Sequence, residues 1–326
     1  MTDEEGMDRA MVLATAARGT TSPRPWVGAV LVTAGGAVLE GATEPSPGRH
    51  AEVVVLEAAG AAARDATVYS TLEPCSHTAV TGPCADALIE AGVRRVVVGI
   101  EDPDPRVAGT GIARLRAAGI EVTIGVHHDE VAAQLAPYLK HRRTGRPWVV
   151  LKLAASLDGR TAAPDGSSQW ITGDAARADA HRLRAESDAV IVGAGTVRSD
   201  DPALTVRHVE GRDPLRVVLG SAPAGAKVHP AIELTGDPGD VLDELGRRGV
   251  LQAMVEGGAS VAGQFHRAGL VDRYVVYLAP VLFGGDDGRA LFSGPGAATI
   301  DDVWRGRIVA VERLGDDLRI ELEGAA

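Results

Sequence analysis

His50-Ala51-Glu52, Pro74-Cys75 and Pro83-Cys84 constrain this chain more than any other feature. They contain both of its cysteines, each directly behind a proline and separated by eight residues. One pair in 326 residues is not a disulfide framework. Taken alone, the two thiols read equally well as buried structural cysteines. The upstream histidine and glutamate supply another reading. Zinc accepts one imidazole and two thiolates and keeps a fourth tetrahedral position for water, whose pKa it lowers toward neutrality. A carboxylate that is not a ligand then moves the water's proton to a departing amine. That set, H-x-E with P-C-x-x-C, belongs to zinc deaminases. It makes His50, Cys75 and Cys84 the expected ligands and Glu52 the expected proton shuttle. Cys84 also opens an expected helix, where the dipole favours a thiolate. Here, however, eight residues rather than two separate the cysteines.

Charge and hydropathy remove other classes. With 33 basic and 44 acidic side chains the formal charge is −11, which repels phosphate backbones. Aromatic residues make up only 3%, too few to hold a flipped base, so a polynucleotide deaminase is a poor fit. No apolar run approaches the roughly 18 residues that span a bilayer, so no membrane partner is expected. The opening Met1-Thr2-Asp3-Glu4-Glu5 lacks the basic region of a signal peptide, which makes a cytoplasmic location the expectation.

Strand and helix patterns alternate along the first part. Helix is expected over 7–18, strand over 27–32, helix over 51–64, strand over 67–71 and helix over 84–91. Strand over 96–100, helix over 111–118 and strand over 121–126 follow. This alternation argues for an α/β layered domain. His127-His128-Asp129 fits a strand end and helix start, with Asp129 as cap. Thr144-Gly145-Arg146-Pro147 is a short polar linker, so domains 1–145 and 146–326 are expected. In the second, strands are expected over 148–153, 190–195 and 251–255, with helix over 261–268. Gly193-Ala194-Gly195 reads more readily as a tight turn than as a cofactor loop. Glu256-Gly257-Gly258 could bring backbone N–H groups to a phosphate at a helix N-terminus. Neither is the full G-x-G-x-x-G of a Rossmann dinucleotide domain. Trp26 and Trp304 read as packing residues, and Arg142-Arg143, Arg182 and Arg247-Arg248 as solvated faces.

The motifs together resemble the family of bifunctional riboflavin-biosynthesis deaminase–reductases over nearly the whole chain, including the longer cysteine loop. The first half matches through His50-Ala51-Glu52-Val53, Thr71 to His77, Gly82-Pro83-Cys84, Asp102-Pro103 and Val107-Ala108-Gly109. The second matches through Leu151 to Arg160, Ser168 to Gly173, Gly195-Thr196-Val197, Asp200 to Arg207 and Glu256-Gly257-Gly258. The resemblance implies an α/β architecture: an N-terminal three-layer, cytidine-deaminase-like domain and a C-terminal domain of the dihydrofolate-reductase type. It implies Zn2+ and NADPH as cofactors and a homo-oligomer. The reactions would be hydrolytic deamination of 2,5-diamino-6-ribosylamino-4(3H)-pyrimidinone 5′-phosphate, then reduction of its ribosyl side chain to ribityl. By motif, Ala154, Trp170, Thr196, Asp200, Ser221 and the turn from Gly258 to Gln264 would bind NADPH. Ser168, Arg184, Leu204, Arg207 and Glu256 would contact substrate, the two arginines as bidentate phosphate ligands. Lys152 is a candidate for polarising or protonating the opened sugar, against the plainer reading of a lysine reaching out from a strand end. His77 reads as a residue of the substrate loop, because a catalytic zinc needs an open position.

Three departures from the family pattern fall in the first half. Pro-Asn-Pro is Pro23-Arg24-Pro25, and Asp-Pro-Asn-Pro is Asp102-Pro103-Asp104-Pro105. The cysteine loop carries Ala79-Val80-Thr81 where a cation usually precedes the threonine. Losing one charge-assisted bond costs about 1.5–3 kcal/mol, roughly 10- to 150-fold in affinity. A carboxylate at Asp104 is expected to repel a phosphate, and Arg24 to replace the missing cation from across the pocket. Two alternatives stay open: the same chemistry on a related, unphosphorylated aminopyrimidine, or a working reductase beside a deaminase half kept as a structural module.

Overall fold

The structure, a computed structural model, describes residues 1–77 and 82–325. Ala79, Val80 and Thr81 lie outside the described residues. The chain divides into two compact units, Met1–Gly145 and the residues from Arg146 onward.

In the first unit the order is α1 (Asp3–Ala17), β1 (Gly28–Val32), β2 (Val38–Ala42), α2 (Ala51–Ala59), β3 (Thr67–Leu72), α3 (Cys84–Ala91) and β4 (Arg95–Ile100). α4 (Thr110–Ala117), β5 (Glu121–Ile124), α5 (His128–Gln134) and α6 (Ala136–Thr144) complete it. The five strands run in the order β2-β1-β3-β4-β5. β1 is antiparallel to both neighbours, while β3, β4 and β5 are parallel. Two glycines of paired strands show the layering. A Cβ on Gly28 would meet the backbone of Ala10 in α1, and one on Gly41 would meet Val54 in α2. Gly41 pairs with Ala29, so it faces away from the side to which Gly28 points. α1 and α2 therefore cover opposite faces, giving three layers, and the missing side chains let both helices close in.

Local chemistry explains where the elements differ from expectation. α1 begins four residues earlier, because Thr2 and Glu5 form a reciprocal capping box and Asp3, Glu4 and Glu5 suit the helix dipole. β2 carries almost no apolar alternation because it is a mostly exposed edge strand. α5 is not capped by Asp129: His127 occupies the N-cap with φ +52°, and Asp129 accepts instead from the His128 ring at 2.8 Å. Trp26 is buried, as its packing role requires.

The second unit begins with β6 (Trp148–Ser156), β7 (Arg160–Ala162), α7 (Asp174–Ala185), β8 (Ala189–Gly193), α8 (Ala194–Asp200), β9 (Leu215–Leu219) and β10 (Ile232–Leu234). It continues with α9 (Pro238–Arg247), β11 (Gln252–Val255), α10 (Ala259–Arg267), β12 (Arg273–Ala279), β13 (Arg289–Ala290), β14 (Gly306–Leu314) and β15 (Asp317–Gly324). Eight strands form one sheet in the order β10-β9-β8-β11-β6-β12-β15-β14. The first six are parallel, and the last two close it as an antiparallel hairpin. Alternation along β6 sorts the core. Val149, Leu151 and Leu153 pack with α9 and α10 residues such as Leu245 and Phe265. Val150 packs with Ala176, Leu183 and Val197 of α7 and α8. Gly193-Ala194-Gly195 is the direct passage from β8 into α8 rather than a free turn. Ile308 and Val311 of β14 pair with Leu322 and Ile320 and share their face of the sheet, yet they are 57% and 59% exposed.

Candidate active sites

Three chain segments bring the predicted metal ligands together. His50 is the N-cap of α2, Cys75 follows β3, and Cys84 is the first residue of α3. His50 Nδ1 lies 3.2 Å from Cys84 Sγ and 3.6 Å from Cys75 Sγ, and all three donor atoms fall within 4.8 Å of one another. With bonds of about 2.0–2.3 Å, a tetrahedral zinc has ligand–ligand edges of roughly 3.6 Å, so the donor set fits that ion. Among the described residues no fourth His, Cys, Asp or Glu joins this cluster. His77 lines the same cleft but stands outside it. The Cys84 backbone N–H donates to Cys75 Sγ at 3.3 Å. The hydrogen bond from the Cys84 thiol, with that of His50, lowers the Cys75 thiol to about 4. Cys84 is raised by the neighbouring Cys75 and by burial. One thiolate is thus already favoured, and a cation would draw off the second proton.

Glu52 sits in the first turn of α2, 4% exposed, and burial pushes its carboxyl up to about 7. It lines a cleft together with His50 and Cys75. Glu73, in the Glu-Pro-Cys motif, has its carboxyl occupied by backbone donors. Its buried carboxylate accepts from the N–H groups of Asp102, Gly109 and Ile112, which ties the cysteine loop to the segment after β4.

The far wall of the cleft was not legible in the sequence. Asp104 is buried, accepts two hydrogen bonds from the Arg106 guanidinium and lies 3.6 Å from Arg142 Nε. Arg106 foremost, with Arg142, holds its carboxyl at about 2. Asp104 is thus paired with Arg106 and approached by Arg142, a pairing that the expected repulsion of a phosphate did not include. Arg142 is likewise no solvated-face residue. It is 23% exposed, lines the cleft and packs over the Tyr138 ring at 4.9 Å. Tyr138 donates its hydroxyl to Asp102. Arg24 lines the same cleft, with Nη1 and Nη2 donating to the carbonyls of Gly48 and Glu44, and Arg142 Nη2 donates to the carbonyl of neighbouring Pro23 at 3.3 Å.

In the second unit Arg184 and Glu256 meet. Arg184 Nε and Nη2 donate to the two Glu256 carboxylate oxygens at 3.0 and 2.8 Å, and Nη1 donates to the Thr205 carbonyl at 2.6 Å. Burial raises the Glu256 carboxyl, but Arg184 and Lys152 outweigh it and leave it lowered. Lys152 is depressed by desolvation, with Arg184 adding to that and Glu256 opposing it. Its Nζ lies 5.9 Å from the Tyr277 ring centroid. Ala154, two residues on, shares its face of β6. His181 Nδ1 accepts the Arg207 backbone N–H at 3.0 Å, and Arg207 itself is exposed. Leu204 is buried at φ +54° in the same loop.

Thr196, Ser221 and Gly258 follow the C-terminal ends of β8, β9 and β11, which are neighbours in the sheet. That edge is where open α/β sheets bind ligands. The Gly258 N–H donates to Thr196 Oγ1 at 3.2 Å. Asp200 ends α8 and is exposed. Ser168 and Trp170 line a separate cleft with Val281, Leu282 and Phe283. Trp170 is 69% exposed, with the Arg177 guanidinium 4.6 Å from its ring centroid.

Known proteins share both halves. Residues 1–100 match the cytidine and deoxycytidylate deaminase zinc-binding region, and residues 147–320 match the RibD C-terminal domain. The riboflavin biosynthesis protein RibD of Mycobacterium tuberculosis is 44% identical over 98% of this chain and 96% of its own length. That of Escherichia coli K12 is 41% identical over the full length of both. The solved structure of Acinetobacter baumannii RibD is similar with a TM-score of 0.93 at 38% identity, covering 99% of each chain. A Thermotoga maritima structure described as a diaminohydroxyphosphoribosylaminopyrimidine deaminase/5-amino-6-(5-phosphoribosylamino)uracil reductase gives 0.89 at 33% identity, again over 99% of each chain.

Proposed function

The chain belongs to the RibD family of bifunctional riboflavin-biosynthesis proteins, and from that membership we propose how its residues divide the work. It is a riboflavin-pathway deaminase and reductase with zinc and NADPH as cofactors. We assign deamination of 2,5-diamino-6-ribosylamino-4(3H)-pyrimidinone 5′-phosphate to Met1–Gly145 and reduction of the ribosyl side chain to the residues from Arg146 onward. The observation that carries the deaminase assignment is the convergence of His50, Cys75 and Cys84 beside the buried Glu52.

Zinc held by His50, Cys75 and Cys84 supplies Lewis acidity and makes water nucleophilic near neutral pH. Glu52 takes a proton from the attacking water and hands it to the amine as ammonia departs. Its pKa, raised toward neutrality by burial, suits both directions of transfer. In the reductase, Arg207 is exposed and able to take the substrate phosphate, whereas Arg184 holds Glu256 and the Thr205 carbonyl in place. Lys152, desolvated and beside Glu256, polarises or protonates the opened sugar during hydride transfer. Ser221, Thr196 and the turn from Gly258, which follow the C-terminal ends of β9, β8 and β11, would hold NADPH, which would supply the hydride. Ala154, Trp170 and Asp200 complete that cofactor set, and Ser168 and Leu204 the substrate set.

No helix among the described residues is long and apolar enough to cross a membrane, and we assign the enzyme to the cytoplasm. We further assign a homo-oligomer built on the β14 end of the large sheet. Its support is the exposure of Ile308 and Val311 on a nine-residue edge strand, a feature that invites pairing or burial.

Zinc-loaded protein incubated with the diaminopyrimidine phosphate, with and without NADPH, tests the assignment by mass spectrometry. Deamination adds one mass unit and reduction two. In Glu52→Gln the first step is expected to fall about 10²- to 10⁴-fold with zinc retained. Undiminished ammonia release from that variant would remove Glu52 from the mechanism.

A further inference from the structure

Between its two cysteines this chain carries no lysine or arginine. The lining of the deaminase cleft nevertheless brings Arg24, Arg106 and Arg142 together, among the carboxyls of Glu52, Glu73, Asp102 and Asp104. Asp104 is buried with its carboxyl held at about 2, so it is ionised at neutral pH. Two guanidiniums from different elements bracket it: Arg106 from the loop after β4 and Arg142 from α6. Two guanidiniums thus share one carboxylate, with the Asp102 carboxyl beside it accepting the Asp104 backbone N–H.

Arg106 keeps a donor free, whereas Arg142 gives Nη2 to the Pro23 carbonyl at 3.3 Å and has Nη1 3.5 Å from His141 Nδ1. Arg106 uses Nε and Nη2 on Asp104, and among the described residues its Nη1 makes no protein hydrogen bond. Its side chain is 65% exposed although anchored at two points, which presets the fork without filling it. Arg142 is stacked on Tyr138, whose hydroxyl is fixed by Asp102. An ion pair serving only the fold needs one arginine. The second lines the cleft that Glu52 and the metal ligands share.

We propose that Arg106 and Arg142, preset on Asp104, form the seat for the substrate's 5′-phosphate in the deaminase half. The proposal rests on the deaminase assignment above. It turns Asp104 from an obstacle into an anchor for both guanidiniums: Arg106, bound through Nε and Nη2, keeps Nη1 for a phosphate, and Arg142 adds its charge beside it.

Deaminase kinetics on the phosphorylated substrate and its dephosphorylated counterpart test the seat, with the reductase activity of each preparation as folding control. In Arg106→Gln/Arg142→Gln, KM for the phosphorylated compound is expected to rise roughly 10- to 150-fold, the loss of about one charge-assisted bond. kcat should stay within about twofold, and KM for the dephosphorylated compound should not move. Asp104→Asn should raise the phosphate-dependent KM less, because it loosens the guanidiniums without removing them. An unchanged KM, or an equal rise for both compounds, overturns the seat. Titration with inorganic phosphate followed by phosphorus NMR gives a readout independent of turnover: one binding site should disappear in the double variant, and its persistence also overturns the seat. Should wild-type protein release ammonia from neither compound, the deaminase assignment falls, and the phosphate titration still decides the seat.

Discussion

Arg184 and Glu256, 72 residues apart in sequence, form a two-point ion pair with side chains 9% and 11% exposed. The sequence treated both as separate substrate contacts. In the structure each is first a partner of the other, and Lys152 feels both. The pair fixes the end of β11 to α7 beside the loop that carries Leu204 and Arg207.

Breaking this pair should cost more than a surface contact. Removing one partner leaves a buried charge uncompensated, which typically costs 3–5 kcal/mol. Arg184→Ala is expected to lower the unfolding free energy of the reductase unit, read from urea titration, by an amount in that range. A change below about 1 kcal/mol would mean that water or another cation satisfies Glu256.

Metal removal should separate the two activities. A chelator is expected to abolish ammonia release and leave NADPH-dependent reduction within about twofold when deaminated substrate is supplied. Cys84→Ser should lower zinc content from about one per chain toward zero, since a serine hydroxyl does not replace a thiolate ligand. Mass-spectrometric metal analysis reads this directly.

His181 sets a pH dependence. Burial first, then Arg184 and Arg207, lower its pKa to about 4 in the folded chain, against about 6.5 unfolded. Between these values the unfolded state binds the proton and the folded state does not. The stability contribution is therefore present above about 6.5 and is lost as pH falls through that window toward 4. His181→Gln, which can still accept the Arg207 N–H, is expected to flatten the fall in urea midpoint between pH 7 and 4.5. An identical fall in both proteins would assign the acid sensitivity to other groups.

The oligomer should depend on β14. Ile308→Asp/Val311→Asp places charge on the exposed apolar face of an edge strand and should shift the protein toward monomer in sedimentation velocity. Both residues are exposed in the single chain, so the change should cost the fold itself within about 0.5 kcal/mol. An unchanged sedimentation coefficient would move the interface elsewhere.

The metal ligands were legible because their chemistry is local. His-x-Glu at a helix start and two Pro-Cys steps each preset their own geometry within a few residues, and zinc specifies the donor types. The flanking glycines and apolar runs likewise marked most strands of the first unit. β2 was missed because an exposed edge strand needs no apolar alternation, and α1 was begun late because its capping box involves no apolar residue. Asp104 was misjudged for a different reason. Its effect depends on Arg106, two residues away, and on Arg142, 38 positions away in α6.

Residue types and short spacings thus determined that His50, Cys75 and Cys84 offer a donor set suited to zinc beside a glutamate, and that both halves are α/β. Only the tertiary structure decided which charges neutralise one another: Arg184 with Glu256, and Arg106 and Arg142 with Asp104. Ligand chemistry is written into a few neighbouring side chains. Burial and the strand order that brings distant loops to one sheet edge set the strength and sign of an ion pair, and no local spacing encodes either.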